Sequence, residues 1–298
     1  MQNKILSGKV VSQNITHTLA AKIDNLKSSN ITPKLAAILI GENPASQIYI
    51  NSKAKFFTKN NCLSKTFKFS SDVSQNEILI LIEKLNKDKN IHGILVQLPL
   101  PDNFDNEKIL NAISPLKDID GFHPYNVGKL FSGDPNFVPC TPNGIIKMLE
   151  YYDIDTNGKD CVIIGRSNIV GKPMFALLAQ KFEKGNATVT MCHSRTNDLK
   201  FYTLNADIIV SAIGVPNFLN KDMVKRGSVI IDVGINRVED TASKKGYKIV
   251  GDVDLESMID KVSYITPVPG GVGPMTIAML LYNTVLSAEK SALSLSLS

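Results

Sequence analysis

Short apolar runs alternate with amphipathic stretches along most of the chain. Residues 8–29 show a helical pattern, and the continuous apolar run Leu35–Ile40 follows them. An uninterrupted apolar run of this length is typical of a strand in a parallel sheet that is covered on both faces. Asn43 and Pro44 come next as a favourable N-cap and first helical residue, and they predict a helix over residues 44–60.

The alternation continues in two series, which are separated by a region without a clear period. The first series adds predicted strands at 65–69 and 93–98 and a predicted helix at 75–86. Residues 99–140 are rich in Pro, Gly, Asp and Asn, and they predict a long loop region with one helix near 107–113. Loops of that length in a compact protein are usually functional or lie between domains.

The second series starts after a helix predicted at 142–151. Its strands are predicted at 160–164, 188–192, 208–212, 228–233 and 248–251, and its helices at 171–182, 199–205, 221–224 and 274–292. Strands that alternate with helices indicate βαβ units and mostly parallel sheets, so the predicted fold class is α/β. The length of 298 residues fits two domains of ordinary size.

Composition excludes several classes of protein. Hydrophobic residues make up 43% of the chain, which is enough for globular cores, and no apolar run reaches the roughly 20 residues that span a bilayer. Residues 1–15 lack the pattern of a secretory signal, so we expect a cytoplasmic protein. The dispersed cysteines predict buried thiols rather than a metal site or a disulfide framework. The net charge of +5 suits anionic ligands, but no basic block indicates nucleic-acid binding.

The segment VIIGRSNIVGKP (162–173) predicts a strand, a tight turn and the start of a helix. Its pattern G-x-S-x-x-x-G, formed by Gly165, Ser167 and Gly171, is a variant of the dinucleotide fingerprint G-x-G-x-x-G. The helix N-terminus would offer free N–H groups to phosphate, and the Ser167 hydroxyl could donate to it. An ordinary turn between a strand and a helix is the alternative interpretation.

The end of the next predicted strand indicates which dinucleotide binds. NAD sites usually have an acidic residue there, whereas this strand is followed by His193, Ser194 and Arg195. A basic, hydroxyl-rich strand end favours a 2′-phosphate, and Arg166 in the turn favours it too. We therefore predict NADP, with NAD as the less favoured alternative; Arg195 on its own could equally be a surface residue.

Eight segments, one of them the turn described above, together resemble one enzyme family. They occur in the family's order and span about residues 35–285: GENPASQIYINSKAK (41–55), GILVQLPLP (93–101), KDIDGFH (117–123), FVPCTP (137–142), GRSNIVGKP (165–173), IDVGINR (231–237), GDVD (251–254) and ITPVPGGVGPMT (265–276). The chain resembles the bifunctional methylenetetrahydrofolate dehydrogenase/cyclohydrolase family. The resemblance implies oxidation of 5,10-methylenetetrahydrofolate by NADP and then hydrolysis of the methenyl product to 10-formyltetrahydrofolate, within one-carbon metabolism and purine biosynthesis.

The resemblance also implies a domain arrangement. We expect two three-layer α/β domains with a shared site in a cleft between them, in a homodimer. The N-terminal folate-binding domain would cover residues 1–140 and be completed by the C-terminal helix at about 274–298. A Rossmann-type NADP-binding domain would cover residues 141–273. The low-complexity tail 291–298 is assigned no function, and no metal is expected.

The resemblance gives roles to residues whose own pattern is weak. Tyr49 and Lys53 are four residues apart and lie on one helix face, a spacing that alone seldom marks a site. By resemblance they are the catalytic pair, with Lys53 as the general acid/base of hydrolysis. Gln97 would contact Lys53 and orient its amine, although a strand-end amide facing solvent is the ordinary interpretation. Asp120 would bind the aminopyrimidine edge of the pterin, although KDIDGF alone predicts a turn.

Two other segments would line the bound molecules. PVPGGVGPMT is rigid at its prolines and free of bulk at its glycines, which suits backbone beside a flat ligand. By resemblance, Pro269, Gly270 and Gly271 line the folate pocket, and Ile235 lies next to the nicotinamide. A turn before the last helix is the structural alternative.

Other functions make different predictions. A dehydrogenase for another small substrate, such as a shikimate- or amino-acid-type reductase, would give no spectral change with methylenetetrahydrofolate and NADP. The set Tyr49, Lys53, Gln97 and Asp120 argues against it. A non-catalytic folate- or nucleotide-binding protein would be expected to have lost Lys53 or Gln97, and both are present.

Overall fold

The computed structural model describes residues 4–243 and 246–296. The chain divides into two compact units, which are described separately. One unit comprises Asn14–Cys140 and the residues from Ile277 onward; the other comprises the residues up to Gln13 and Thr141–Thr276. The sequence places the N-terminal residues with the 1–140 domain, so the grouping of the residues up to Gln13 with Thr141–Thr276 is a feature that it does not predict.

The first unit is built on a parallel three-stranded sheet. Strands β1 (Lys34–Ile40), β2 (Leu63–Phe69) and β3 (Gly93–Val96) lie in the order β2-β1-β3. The connecting helices are α2 (Pro44–Lys59) and α3 (Gln75–Lys87). As predicted, the Asn43 side chain caps α2 by accepting the Ser46 N–H at 3.1 Å. The central strand β1 is buried along almost its whole length, which agrees with its unbroken apolar sequence.

The region predicted to be mostly loop contains two helices. Helix α4 (Asn106–Asn111) lies where a helix was predicted, whereas α5 (Pro124–Phe131) was not predicted. Its start has a physical signal, because the His123 side chain accepts the Tyr125 N–H and Pro124 stands at the first helical position. Helix α1 (Gly8–Ser28) precedes β1, and α6 (Cys140–Tyr151) follows α5.

The second unit is built on a five-stranded parallel sheet. Its strands are β4 (Asp160–Ile164), β5 (Thr188–Cys192), β6 (Ile208–Ser211), β7 (Val229–Asp232) and β10 (Tyr264–Ile265). The spatial order β10-β7-β6-β4-β5 corresponds to 2-1-3-4-5 in chain order, a doubly wound arrangement. The order reverses between β4 and β6. In such sheets, ligands bind at the carboxyl ends of the strands beside this switch point.

Short elements complete the second unit. Helices α7 (Gly171–Ala179) and α8 (Leu199–Thr203) agree with prediction, and a 3₁₀ turn replaces the helix predicted at 221–224. The antiparallel hairpin of β8 (Asn236–Glu239) and β9 (Tyr247–Val250) was predicted only in its second strand. Helix α9 (Leu255–Met258) was not predicted. The last helix, α10 (Val272–Ser296), is longer than predicted at both ends, and residues 297 and 298 of the tail lie outside the described residues.

The described residues also bear on two expectations from composition. All four cysteines are free and buried, as predicted (Cys62, Cys140, Cys161 and Cys192). In the described ranges, no helix is both long enough and apolar enough to cross a bilayer.

Candidate active site

Lys53 lies on the buried face of α2, one turn after Tyr49. Only 5% of the lysine is exposed, and its ammonium lies over the Tyr49 ring, 4.5 Å from the ring centroid. Burial lowers the pKa of Lys53 because a charged amine loses its hydration; nearby Asp120 opposes this shift. A larger fraction of this amine is therefore neutral near pH 7 than for a lysine in water.

Gln97 lies directly after β3 and contacts Lys53. The lysine Nζ donates to Gln97 Oε1 at 3.1 Å, and Gln97 Nε2 donates to the Leu98 carbonyl at 2.7 Å. The second bond orients the amide so that its oxygen faces the lysine. Because an amide carries no charge, Gln97 orients the amine without raising its pKa as a carboxylate would.

Asp118 and Asp120 follow a segment that lies beside β3. Ile94 N–H donates to the Lys117 carbonyl at 2.9 Å, so the segment extends the edge of the sheet. The Asp118 carboxylate is buried and accepts the N–H groups of Phe122 and His123. It also accepts an Asn126 side-chain bond at 2.8 Å, so it holds the turn.

Asp120 has a different environment from Asp118. Burial raises its pKa to about 6, while Lys53 works against that increase and Asp118 adds to it. In the described part of the chain, Asp120 accepts no backbone N–H. The Cys140 thiol hydrogen-bonds to this carboxylate, whose remaining lone pairs can accept bonds from a ligand beside the lysine.

Asn283 of α10 fixes the backbone around Asp120. Its buried amide donates to the carbonyls of Ile119 and Val138, at 2.7 and 3.0 Å. The buried Cys140 thiol lies 3.4 Å from the same Ile119 carbonyl, and desolvation raises its pKa well above the ordinary value. Sequence reasoning missed Asn283, because one amide within an apolar helix has no distinctive pattern.

The predicted dinucleotide loop lies at the switch point of the second unit's sheet. Gly165 follows β4 with φ at +121°, and a Cβ there would lie 2.4 Å from the Ala212 carbonyl oxygen, just after β6. Both the conformation and the close approach therefore require glycine. Arg166 and Ser167 are exposed, and Gly171 opens α7.

Ser167 caps the helix that follows the loop. Its Oγ accepts the N–H groups of Val170 and Gly171, at 3.1 and 3.3 Å. The hydroxyl proton is not used by these two bonds and can be donated to a ligand. The serine in place of the usual glycine thus stabilises the start of α7.

The end of β5 carries the predicted basic and hydroxyl side chains. Ser194 and Arg195 are exposed in the turn after Cys192. His193 Nδ1 accepts the Arg195 N–H at 3.1 Å, which orders the turn. The glycine-containing loop after β4 and the exposed basic groups after β5 fit a phosphorylated dinucleotide.

A pocket of about 190 Å³ in the same unit is lined by the segments predicted to touch the ligands. Its lining brings together Ile235, Pro269, Gly270 and Gly271. Lys9 and Asp232 contribute the charged side chains to this lining.

Two buried aspartates hold the loops around this pocket. Asp232 accepts the N–H groups of Gly234, Asp252 and Val253, at 2.9, 2.9 and 3.0 Å. A Cβ on Gly251 would lie 1.7 Å from Asp232 Oδ2, so this carboxylate requires glycine beside it. Burial raises the pKa of Asp232 to about 6, because the losses of hydration exceed the effect of these bonds.

Asp252 ties three more backbone groups to the same cluster. It accepts the N–H groups of Ile213, Gly214 and Val215, at 2.7, 3.2 and 3.0 Å, and also the Asn236 amide at 3.0 Å. Sequence reasoning used the GDVD motif only as part of the resemblance. The signal that could have indicated this role is the position of Asp252 between a glycine and a valine. Within residues 4–243 and 246–296, no group of three or more His, Cys, Asp or Glu side chains could hold a metal ion.

The fold and the site define a two-domain α/β protein with a dinucleotide-binding sheet and a separate buried lysine centre. Family models match both parts of the chain. Residues 6–120 match the catalytic domain of tetrahydrofolate dehydrogenase/cyclohydrolase, and residues 139–292 match its NAD(P)-binding domain. The chain belongs to the tetrahydrofolate dehydrogenase/cyclohydrolase family, as its motifs predict.

Individual relatives match over nearly the whole chain. The bifunctional protein FolD of Pelodictyon phaeoclathratiforme is 50% identical over 289 residues, which cover 96% of this chain and 98% of that protein. The crystal structure of the bifunctional enzyme FolD from Campylobacter jejuni is 52% identical, with a TM-score of 0.90 and coverage of 96% and 98%. A Trypanosoma brucei FolD structure, complexed with NADP cofactor and inhibitor, is 35% identical, with a TM-score of 0.91 and coverage of 97% and 98%. The predicted α/β fold class with two domains is confirmed.

Proposed function

We infer that this chain oxidises 5,10-methylenetetrahydrofolate to the methenyl form with NADP and then hydrolyses that product to 10-formyltetrahydrofolate. Membership of the family supports both activities, and the NADP complex of the trypanosomal relative supports the cofactor. The observation that carries the proposal is the buried Lys53, held by Gln97 and Tyr49 beside Asp120.

Oxidation requires alignment rather than proton transfer. The folate nitrogens stabilise the cation that remains after hydride loss, so the protein contributes mainly the position of the two rings. When bound, NADP supplies the hydride acceptor. We propose that Gly165, Arg166, Ser167, Gly171, Ser194 and Arg195 hold it, and that Ile235 contacts its nicotinamide. The charges of Arg166 and Arg195 would favour the 2′-phosphate.

Hydrolysis gives Lys53 its role. Water adds to the methenyl carbon, and the neutral Nζ accepts the proton that the water loses. The same ammonium can then return a proton to the ring nitrogen that leaves when the carbon–nitrogen bond breaks. The added hydroxyl becomes the formyl carbonyl and releases its proton to the solvent. The pKa of Lys53, lowered by burial, makes the neutral form available for the first step.

Asp120 binds and orients the substrate in this proposal. A carboxylate can accept two N–H bonds from the aminopyrimidine edge of a pterin. Asp120 also has the Cys140 thiol as a hydrogen-bond partner, and its remaining lone pairs can accept such a pair. Tyr49 covers the lysine, and Pro269, Gly270 and Gly271 offer backbone to the flat folate. A homodimer and a cytoplasmic location stay predictions, of which light scattering would test the first.

Replacing Lys53 tests the proposal. In Lys53→Met we expect the cyclohydrolase rate to fall about a hundred- to ten-thousand-fold, the usual contribution of general acid/base catalysis. The dehydrogenase rate should fall less, because that step needs no proton transfer. Absorbance of the methenyl product, first its formation with NADP and then its decay, measures both rates.

Lys55→Met is the matched control, because Lys55 is an exposed lysine on the same helix. It should keep both activities within about twofold, since it removes only a solvated charge. Full retention of methenyl hydrolysis in Lys53→Met would contradict the role given to Lys53.

A further inference from the structure

Asn283 lies at a buried position of α10, where two segments of the candidate active site meet. One segment carries Asp120, and the other is formed by residues 137–140. The two segments touch closely, because a Cβ on Gly121 would lie 3.0 Å from the Pro139 nitrogen. Only 1% of Asn283 is exposed, so its polar side chain requires hydrogen bonds within the protein.

The Asn283 amide joins both segments. Its Nδ2 donates to the carbonyls of Ile119 and Val138, at 2.7 and 3.0 Å. The Ile119 carbonyl belongs to the planar peptide that carries the Asp120 N–H, so this bond fixes the orientation of that peptide. The Cys140 sulfur lies 3.7 Å from the same amide nitrogen. Asn283 therefore holds both the backbone of Asp120 and the thiol that hydrogen-bonds to its carboxylate.

We propose that Asn283 is a positioning residue for the folate substrate, which it orients through Asp120. This inference rests on the proposed function, in which Asp120 binds the aminopyrimidine edge of the pterin. Two parallel hydrogen bonds to one carboxylate form only when the carboxylate plane has the correct orientation. Asn283 is uncharged and transfers no proton, so its contribution lies in the binding and alignment of the substrate.

A double-mutant cycle between Asn283 and Asp120 provides the test. Steady-state kinetics on 5,10-methylenetetrahydrofolate would compare the wild type, Asn283→Ala, Asp120→Asn and the double variant. We expect Asn283→Ala to lower kcat/KM for the folate about tenfold, mainly through a higher KM, and to keep the KM for NADP within about twofold. In the Asp120→Asn background the same substitution should lower kcat/KM less than about threefold, because the carboxylate that it orients is absent.

Thr284→Val is the matched control, because Thr284 is the next buried polar residue of α10 and bonds only within that helix in the described structure. Its Oγ1 donates to the Leu280 carbonyl at 2.8 Å. The control should lower the melting temperature, as the loss of a buried hydrogen bond does, and keep every KM within about twofold. It thus measures what a loss of stability in α10 alone does to the kinetics.

Asn283→Ser repeats the cycle as a second variant, because it keeps a polar group at this buried position. The same dependence on Asp120 is expected. Equal losses with and without the Asp120 carboxylate, or a lower kcat with an unchanged KM, would overturn the positioning role and assign Asn283 to the stability of the fold. Failure of both variants to fold would lead to the same conclusion. A wild type that does not turn over methylenetetrahydrofolate would overturn the proposed function, and this inference with it.

Discussion

Each unit of the molecule contains a pair of buried or partly buried aspartates, and the two pairs differ in what their oxygens accept. In the second unit, Asp232 and Asp252 each accept three backbone N–H groups. In the first unit, Asp118 is used in the same way, but Asp120 faces Lys53 and accepts no backbone N–H among the described residues. Burial alone therefore does not distinguish a structural carboxylate from a reactive one. The two kinds are distinguished by how many backbone N–H groups each carboxylate accepts.

The comparison is tested most strongly by removing a carboxylate from each pair. Asp252→Ala should lower the free energy of unfolding by about 4 kcal/mol, because several buried donors each lose an acceptor at roughly 1–3 kcal/mol. Asp120→Ala should lower it by less than about 1 kcal/mol. Urea unfolding followed by circular dichroism measures both values. Equal destabilisation would show that Asp120 is a structural residue as well.

The second test uses activity instead of stability. We expect Asp120→Asn to lower kcat/KM for the folate substrate about a hundredfold, or about 2.7 kcal/mol, because the amide cannot accept two N–H bonds. In the wild type kcat/KM should fall as the pH drops below about 6, where Asp120 becomes protonated. Rates between pH 5 and 8 provide the measurement. A fall of the same size in Asp120→Asn would assign that titration to another group.

His92 is another buried titratable group, and the contact that it makes is structural. Its Nδ1 accepts the Lys34 N–H at the start of β1, and burial lowers its pKa to about 4. Since the folded state binds this proton more weakly than the unfolded chain, the stabilising effect is complete above pH 6.5. It is lost as the pH falls toward 4, by about 3 kcal/mol.

His92→Asn supplies the control for this effect, because its side-chain oxygen can replace Nδ1 as acceptor and does not titrate. The variant should lose less stability than the wild type between pH 6.5 and 4 in urea unfolding. The raised pKa values of Asp120 and Asp232 act in the opposite direction, so the difference between the two proteins is the informative quantity. Identical pH dependence in both would refute the assignment.

The smallest expected effect concerns Ser167, which has features of both a structural and a ligand-binding polar group. Ser167 accepts two backbone N–H groups, as the structural aspartates do, yet it is exposed in the dinucleotide loop. Ser167→Ala should cost about 1 kcal/mol of stability through the lost helix cap and raise the KM for NADP a few-fold. Thermal melting and steady-state kinetics measure these changes. An unchanged KM would limit Ser167 to capping.

The sequence predicts those parts of the fold that depend on local pattern. The buried strands β1, β3 and β4 are apolar along almost their whole length, and Asn43 and Pro44 mark the start of α2. The elements it misses are short and depend on tertiary contacts, such as α5 and the strand β8. A strand of four residues with alternating burial carries too little pattern to be separated from a loop.

The site shows the same limit in another form. The resemblance points to Lys53, Gln97 and Asp120, and the structure places Gln97 against the lysine. The roles of Asn283 and Asp252 cannot be predicted from the sequence, because both side chains hydrogen-bond to backbone groups that are distant along the chain. Donor counts of this kind become visible only when the chain is folded.

The close approach of Gly251 to Asp232 has a consequence for how this chain can evolve. Any larger residue at 251 would collide with the carboxylate, and loss of the carboxylate would leave three N–H groups without their acceptor. Each substitution is therefore harmful while the other residue is unchanged. Replacing both residues would remove the collision but would still leave the three N–H groups without an acceptor, so selection is expected to keep the glycine and the acid together.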